Sequence, residues 1–304
     1  MWAQAIRFIF FGNYFVGILA IALSIEIAVQ LQMPYCSPLY YILIFCAPVV
    51  YYTYAYTGVL QSASTANLRS QWYRDHRKVA ICSQVILIAM IMIVGVVYLV
   101  RYFDHILHLP LPYWLITATI LLASVLYYGL LPQSLIRINL RNTGWLKAVV
   151  IGFVWGSFVS LLPVIALHAE GRHIQVNPVF ITGLFVKNWM FCTINAIMFD
   201  MKDYEDDSNK DLRTFAVTIG IRRTIIFVLI PLSVIGMLAM IFFTTYRHFG
   251  LIATAINGIP FLLLLYVSWS MHRERNLLYY LIVIDGIVLI KALCGILAMH
   301  FVHI

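Results

Sequence analysis

Charge is scarce in this sequence: Asp, Glu, Lys and Arg make up 11% of its 304 residues, against roughly 25% in a soluble domain. So few charges cannot cover a surface that meets water on all sides. That excludes a soluble globular fold, a disordered chain and a nuclear factor. Cysteine pairing is missing as well. Cys36, Cys46, Cys82, Cys192 and Cys294 show no Cys-x-x-Cys spacing, and four of the five lie in apolar segments. Such cysteines pack; they do not build a disulfide framework or a thiolate metal centre. Phosphate-loop, nucleophile-elbow and His-Glu-x-x-His patterns are also absent, which excludes the chemistries those motifs carry.

What the chain has is apolar length, with 63% of its residues hydrophobic. A bilayer core about 30 Å thick needs about 20 helical residues. Runs of that size occur nine times, at 8–28, 39–60, 79–100, 113–131, 146–167, 178–199, 224–243, 250–269 and 277–299. They lack the alternation of barrel strands, so the fold class is all-α: a polytopic membrane protein of nine transmembrane helices, with residues 1–304 forming one helical domain. The opening residues lead into the first run without a small-residue cleavage site, which reads as a membrane span and not a removed leader. Pro48, Pro163, Pro231 and Pro260 fall within runs and are expected to kink them.

The formal charge of +8 reads as topology, not nucleic-acid binding. With the N-terminus inside, fifteen of the 20 basic residues fall near inner span ends and three near outer ones. This asymmetry predicts a cytoplasmic N-terminus and an outer C-terminus. In a bacterium the protein would sit in the cell (inner) membrane, with the long loops 61–78, 132–145 and 200–223 on the cytoplasmic side.

The acidic residues cluster. Asp200, Asp203, Glu205, Asp206, Asp207 and Asp211 occupy twelve consecutive positions, whereas the other six acids are scattered. If the sixth helix continues past the membrane edge, Asp200, Asp203, Asp207 and Asp211 share one face and Glu205 and Asp206 point elsewhere. Carboxylates in one stripe repel unless a cation lies among them, and hard oxygen ligands with room for substrate phosphates suit Mg2+. A solvated acidic loop balanced by Lys202, Lys210 and Arg213 is the plainer alternative.

Here the sequence resembles a known family. Asp200-Met-Lys202-Asp203-Tyr-Glu-Asp-Asp207, followed by Arg213-Thr214, Val217 and Gly220, is similar to the second aspartate-rich motif of UbiA-superfamily intramembrane prenyltransferases. The stretch from Tyr127-Tyr128 through Arg137, Arg141 and Lys147 to Trp155-Gly156 resembles that family's fourth helix, basic loop and fifth helix. The resemblance implies Mg2+ on Asp200, Asp203 and Asp207. It also implies a prenyl diphosphate bound by Lys202, Arg213, Arg137 and Arg141, and transfer of its chain to an aromatic or other lipophilic acceptor. One departure is large. The family's first aspartate-rich motif belongs near 56–68, where this sequence has no acid at all. Either Arg69 and Arg74 replace the second metal on the diphosphate, or the chain is a diverged, non-catalytic homologue that binds an isoprenoid lipid or a partner protein.

Weaker candidates stand beside these. Tyr51, Tyr52, Tyr54 and Tyr56 place ring faces near the inner end of the second run. Lys187, Asp285 and Lys291 lie inside spans, where charge is costly. A Lys187–Asp285 pair is feasible, as a structural bridge, as part of a substrate site, or as part of a transport path if the protein is a transporter; snorkelling without a partner is the remaining reading. His300 and His303 are spaced as a metal pair but sit at the chain end.

Overall fold

The computed structural model describes residues 2–57, 68–128, 143–209, 211–273 and 275–302. In chain order the first helices are α1 (Trp2–Phe11), α2 (Tyr14–Gln30), α3 (Pro38–Thr57), α4 (Leu68–Asp75), α5 (Arg77–Arg101), α6 (Phe103–Leu107) and α7 (Leu111–Tyr128). Next come α8 (Leu146–Ser160), α9 (Leu162–Ala169), α10 (Pro178–Lys202), α11 (Tyr204–Asn209) and α12 (Phe215–Ile219). The last part holds α13 (Ile221–Thr224), a π turn at Ile225–Leu229, α14 (Ile230–Tyr246) and α15 (Leu251–Ser270). It ends with α16 (Leu277–Tyr279), a second π turn at Tyr280–Ile284, α17 (Asp285–Ala298) and a 3-10 turn at Met299–Phe301.

Among the described residues, six spans are long and apolar enough to cross a membrane: Arg77–Arg101, Leu146–Ala169, Pro178–Lys202, Ile221–Tyr246, Leu251–Ser270 and Leu277–Phe301. This is an integral membrane protein. The other three apolar runs take different forms. Those at 39–60 and 113–131 appear as the shorter apolar helices Pro38–Tyr54 and Leu111–Tyr127. The run at 8–28 is not one rod, because α1 and α2 meet at a bend of 66°. Asn13 causes the break by adopting φ 63°, a left-handed backbone that asparagine tolerates better than most residues. Arg69 and Tyr73 of α4 then take the carbonyls that the break exposes. Arg69 Nε donates to the Phe11 oxygen at 3.1 Å and the Tyr73 hydroxyl donates to it at 2.9 Å.

The prolines act in two ways. Pro48 and Pro260 lie inside α3 and α15, whereas Pro163 and Pro231 open α9 and α14 in their first turns. These two prolines fall where the helical pattern changes within a span, Pro163 just after the turn at Leu161 and Pro231 just after the π turn Ile225–Leu229.

The core centres on α10. Its Phe191, Ile194, Ile197 and Met198 pack against Leu19 and Leu23 of α2, Leu229 of the first π turn, Phe261 of α15 and Ile287 of α17. Helix α8 comes closest because Gly152 and Gly156 present no side chain to α10. A Cβ on Gly156 would sit 2.8 Å from the Trp189 backbone. Small residues four apart let membrane helices touch backbone to backbone, where apolar burial gives no drive in lipid. That close approach sets the height of Lys147, five residues before Gly152, against the C-terminal end of α10.

A second contact holds the bundle from within. Glu26 of α2 is fully buried. It accepts from Lys187 of α10 at 3.3 Å and from Lys291 of α17 at 2.6 Å. Lys187 also donates to Gln30 at 3.1 Å, and Lys291 donates to Asn188. The expected Lys187–Asp285 pair is therefore wrong. By residue count Lys187 lies about 6 Å deeper than Asp285, roughly one helical turn, and Glu26 meets it at that depth. Asp285 faces a cavity instead, and the transport reading loses its ion pair.

Candidate active site

The acidic cluster is built at the C-terminal end of α10. The helix does not run on through it: α10 stops at Lys202, Asp203 is its C-cap, and α11 starts afresh at Tyr204. The stripe through Asp211 therefore does not form, and Asp211 is exposed with φ 54°. Glu205 is exposed on α11. A different residue gathers the aspartates. Lys147 of α8 lies 2.7 Å from Asp200 Oδ1 and 3.4 Å from Asp207 Oδ2, with all three side chains nearly buried. The other oxygen of Asp200, Oδ2, is buried and has no hydrogen-bond partner. Asp203 touches Lys202 and is 36% exposed at its side chain.

Asp200 and Asp203 line a cavity of about 230 Å3 together with Lys147, Lys202, Arg69 and Asn13. Farther in, its walls are aromatic and apolar, with Phe10, Phe15, Tyr52, Trp155, Phe199 and Leu281 around Asn195 and Asp285. A second cavity, also about 230 Å3, shares Tyr52, Tyr127, Ile151 and Trp155 with the first. It runs between α3, α7 and α8 along Pro48, Ile120, Leu121, Val154 and Phe158, and almost all of its lining is apolar. The Trp155 indole N–H donates to the Tyr52 hydroxyl at 2.6 Å, so these two rings stand together where the charged chamber meets the apolar one.

The sequence-predicted residues divide around this chamber. Asp200, Asp203, Lys202 and Arg69 line it. Asp207 stands behind it, held by Lys147. Arg74 is partly buried at the end of α4, Arg213 is exposed, and neither is among the lining residues. Arg137 and Arg141 lie outside the described residues, as do most of residues 56–68, and His303. Arg69 is not a bare phosphate-binding arm. It is buried and gives hydrogen bonds to the Phe10 and Phe11 carbonyls and to Asn13. Sequence reasoning counted Lys147 only as a topogenic charge and missed it as the partner of two aspartates. Its position within the Trp145-Leu146-Lys147 stretch of the resemblance was the available signal.

Among the described residues, no three His, Cys, Asp or Glu side chains stand close enough to hold a metal by themselves. Mg2+ seldom needs such a cage, since one or two carboxylates and substrate phosphate oxygens usually suffice. The buried, partnerless Oδ2 of Asp200 beside Asp203 fits that donor set. Comparison with curated proteins and with solved structures gives no match. The UbiA prenyltransferase family, by contrast, matches residues 82–278, more than half of the chain and a stretch that carries Lys147, Asp200, Asp203 and Asp207. The chain belongs to the UbiA prenyltransferase family.

Proposed function

We propose that this protein is a Mg2+-dependent membrane prenyltransferase that moves an isoprenoid chain from a prenyl diphosphate to an aromatic or other lipophilic acceptor. One observation carries the reading: Asp200, whose Oδ2 is buried and unpartnered, lines a charged chamber that shares Tyr52, Tyr127, Ile151 and Trp155 with an apolar one. A prenyl diphosphate has the same two halves. Asp200 and Asp203 would hold Mg2+, which when bound neutralises diphosphate charge and makes it a better leaving group. Lys202 and Arg69 add positive charge at the chamber wall, and Arg137, Arg141 and Arg213 keep the diphosphate role implied by the family motif. Lys147 fixes Asp200 through Oδ1 and leaves Oδ2 without a protein partner. Asp207 shares that lysine and so serves to position the mouth.

As the allylic C–O bond breaks, positive charge grows on the isoprenoid. The faces of Tyr52 and Trp155 at the chamber junction suit that charge, and the apolar channel beyond them accommodates the tail and excludes water. Purified protein given Mg2+ and a panel of labelled prenyl diphosphates with lipophilic acceptors is expected to form lipid-soluble prenylated product, and Asp203→Asn to lose nearly all of it. If no diphosphate in the panel binds, the reading fails in favour of the non-catalytic one.

The basic asymmetry of the sequence supports a chamber mouth on the cytoplasmic side. Ser208 is exposed on α11. A cysteine placed there is expected to react with membrane-impermeant thiol reagents only in inverted vesicles. Labelling in intact cells would overturn this orientation.

A further inference from the structure

A second opening lies at the other end of the bundle, away from the aspartates. Helix α2 starts at the chamber, with Val16 on its wall, and ends at Gln30. The chain then turns and enters α3 at Pro38. An open groove of about 650 Å3 runs between α2, α3 and α5, lined by Ile25, Tyr35, Cys36, Tyr41, Phe45 and Met90 among others. Almost all of that lining is apolar. Its deep end closes where Gly17 brings α2 against α3, since a Cβ there would sit 2.7 Å from the Phe45 ring.

Two polar features interrupt the groove. The Tyr41 hydroxyl oxygen is buried and, among the described residues, has no hydrogen-bond partner. Tyr40 packs edge-on against its ring at 5.3 Å and holds it in place. A buried hydroxyl left unpaired is costly, so an occupant that offers an acceptor is favoured. The second feature is Arg172 at the rim. It is exposed, and its Nη1 donates to the Tyr35 carbonyl at 3.0 Å, which fixes the guanidinium beside the groove. Among the described residues Arg172 pairs with no carboxylate. Glu170, two residues earlier, accepts from the Ser37 N–H at 2.9 and 3.0 Å instead. A guanidinium with most of its five N–H donors unused suits a phosphate.

From rim inward the groove therefore presents a cation, a hydroxyl donor and an apolar trough. A glycerophospholipid carries the matching series of phosphate, ester carbonyl and acyl chain. We propose that this groove is a specific glycerophospholipid site. The phosphate sits on Arg172, an ester carbonyl accepts from the Tyr41 hydroxyl, and one acyl chain runs along α3 toward Phe45. Tyr41 is three residues into α3, about 4.5 Å along its axis from Pro38. In the lipid the ester carbonyls follow the phosphate by only a few bonds, so the order and the spacing agree. A lipid seated there joins the α2–α3 turn to α5, a helix otherwise largely exposed along its length. The site is separate from the chamber and does not depend on the transferase reading.

The test uses the full-length protein in nanodiscs of unlabelled phosphatidylcholine with trace photoactivatable lipids, each carrying a diazirine in one chain. The three probes are a diester phosphatidylcholine, its diether analogue and a diacylglycerol. Adducts are mapped by mass spectrometry to the groove, at Ile42 and Phe45, and to the outward face of α5, at Met92 and Ile93. The groove-to-face ratio is expected to be at least about tenfold higher for phosphatidylcholine than for diacylglycerol, the worth of one charge-assisted hydrogen bond. It should be about threefold higher for the diester than for the diether, the worth of a neutral one. Arg172→Gln should remove the first difference, and Arg172→Lys, which keeps the charge, should retain most of it. Tyr41→Phe should remove only the second. Labelling of the α5 face checks that each variant is still inserted. Equal ratios for the three probes in the wild type, or differences that survive Arg172→Gln and Tyr41→Phe, mean ordinary lipid on an apolar surface and overturn the site. A groove that takes no adduct while the α5 face is labelled is covered by protein, which overturns it equally.

Discussion

Asp200→Asn is expected to weaken Mg2+-dependent prenyl-diphosphate binding by at least 100-fold, whereas Asp207→Asn should weaken it by no more than about tenfold. The two carboxylates look equivalent in the motif, but their surroundings separate them. Asp200 lines the chamber, uses one oxygen on Lys147 at 2.7 Å and leaves the other buried and unpartnered. Asp207 meets the same lysine at 3.4 Å and does not line the chamber. Removing the Asp200 charge deletes a ligand oxygen and its neutralising effect on Lys147 together, and each charge-assisted contact is worth roughly 1.5–3 kcal/mol. Removing Asp207 leaves Lys147 with Asp200 and costs mainly the anchoring of α11. Titration of labelled prenyl diphosphate at saturating Mg2+ measures both. Equal losses would mean that the aspartates act as a diffuse patch, and the chamber geometry would carry no information about the metal.

The bilayer made most of the architecture legible. Lipid admits only backbone that satisfies itself, so long apolar runs had to be helices, and the long runs beyond residue 140 appear close to where the sequence placed them. Hydropathy is blind to what interrupts a run. Gly12-Asn13 breaks the first one, and only the backbone freedom of that pair hinted at it. The acidic motif was equally visible, because carboxylates are rare in this chain, but periodicity assumed a helix running through it. Helix α10 instead ends at Lys202, and the aspartates converge on a lysine from another helix. Partners more than fifty residues apart leave no trace in spacing. The same limit explains Asp285: its depth was read from residue count, but its neighbour was decided by Glu26 of α2, a lone acid in an apolar run.

That lone acid should be the most stability-critical charge in the bundle. Glu26 is 1% exposed at its side chain and stands between Lys187 and Lys291, themselves 8% and 4% exposed. An added Cβ on Gly295 would come within 2.5 Å of its Oε1, so α17 and α2 are close enough here that water has little room to replace a lost partner. Glu26→Gln would leave two buried ammonium groups with no counter-charge in this cluster. Breaking a buried ionic contact by removing one side costs about 3–5 kcal/mol, because the remaining charge stays desolvated. Thermal unfolding in detergent is expected to show a loss of that order for Glu26→Gln, with much of the protein failing to fold. Adding Lys187→Met and Lys291→Met to the same chain should recover at least half of the loss, since an apolar replacement of a whole buried ion cluster is often close to neutral. Recovery would show that the penalty lies in the stranded charges, not in a missing carboxylate as such. If Glu26→Gln unfolds within the error of the wild type, the cluster is hydrated, and its lysines are then open to the membrane interior as titratable groups.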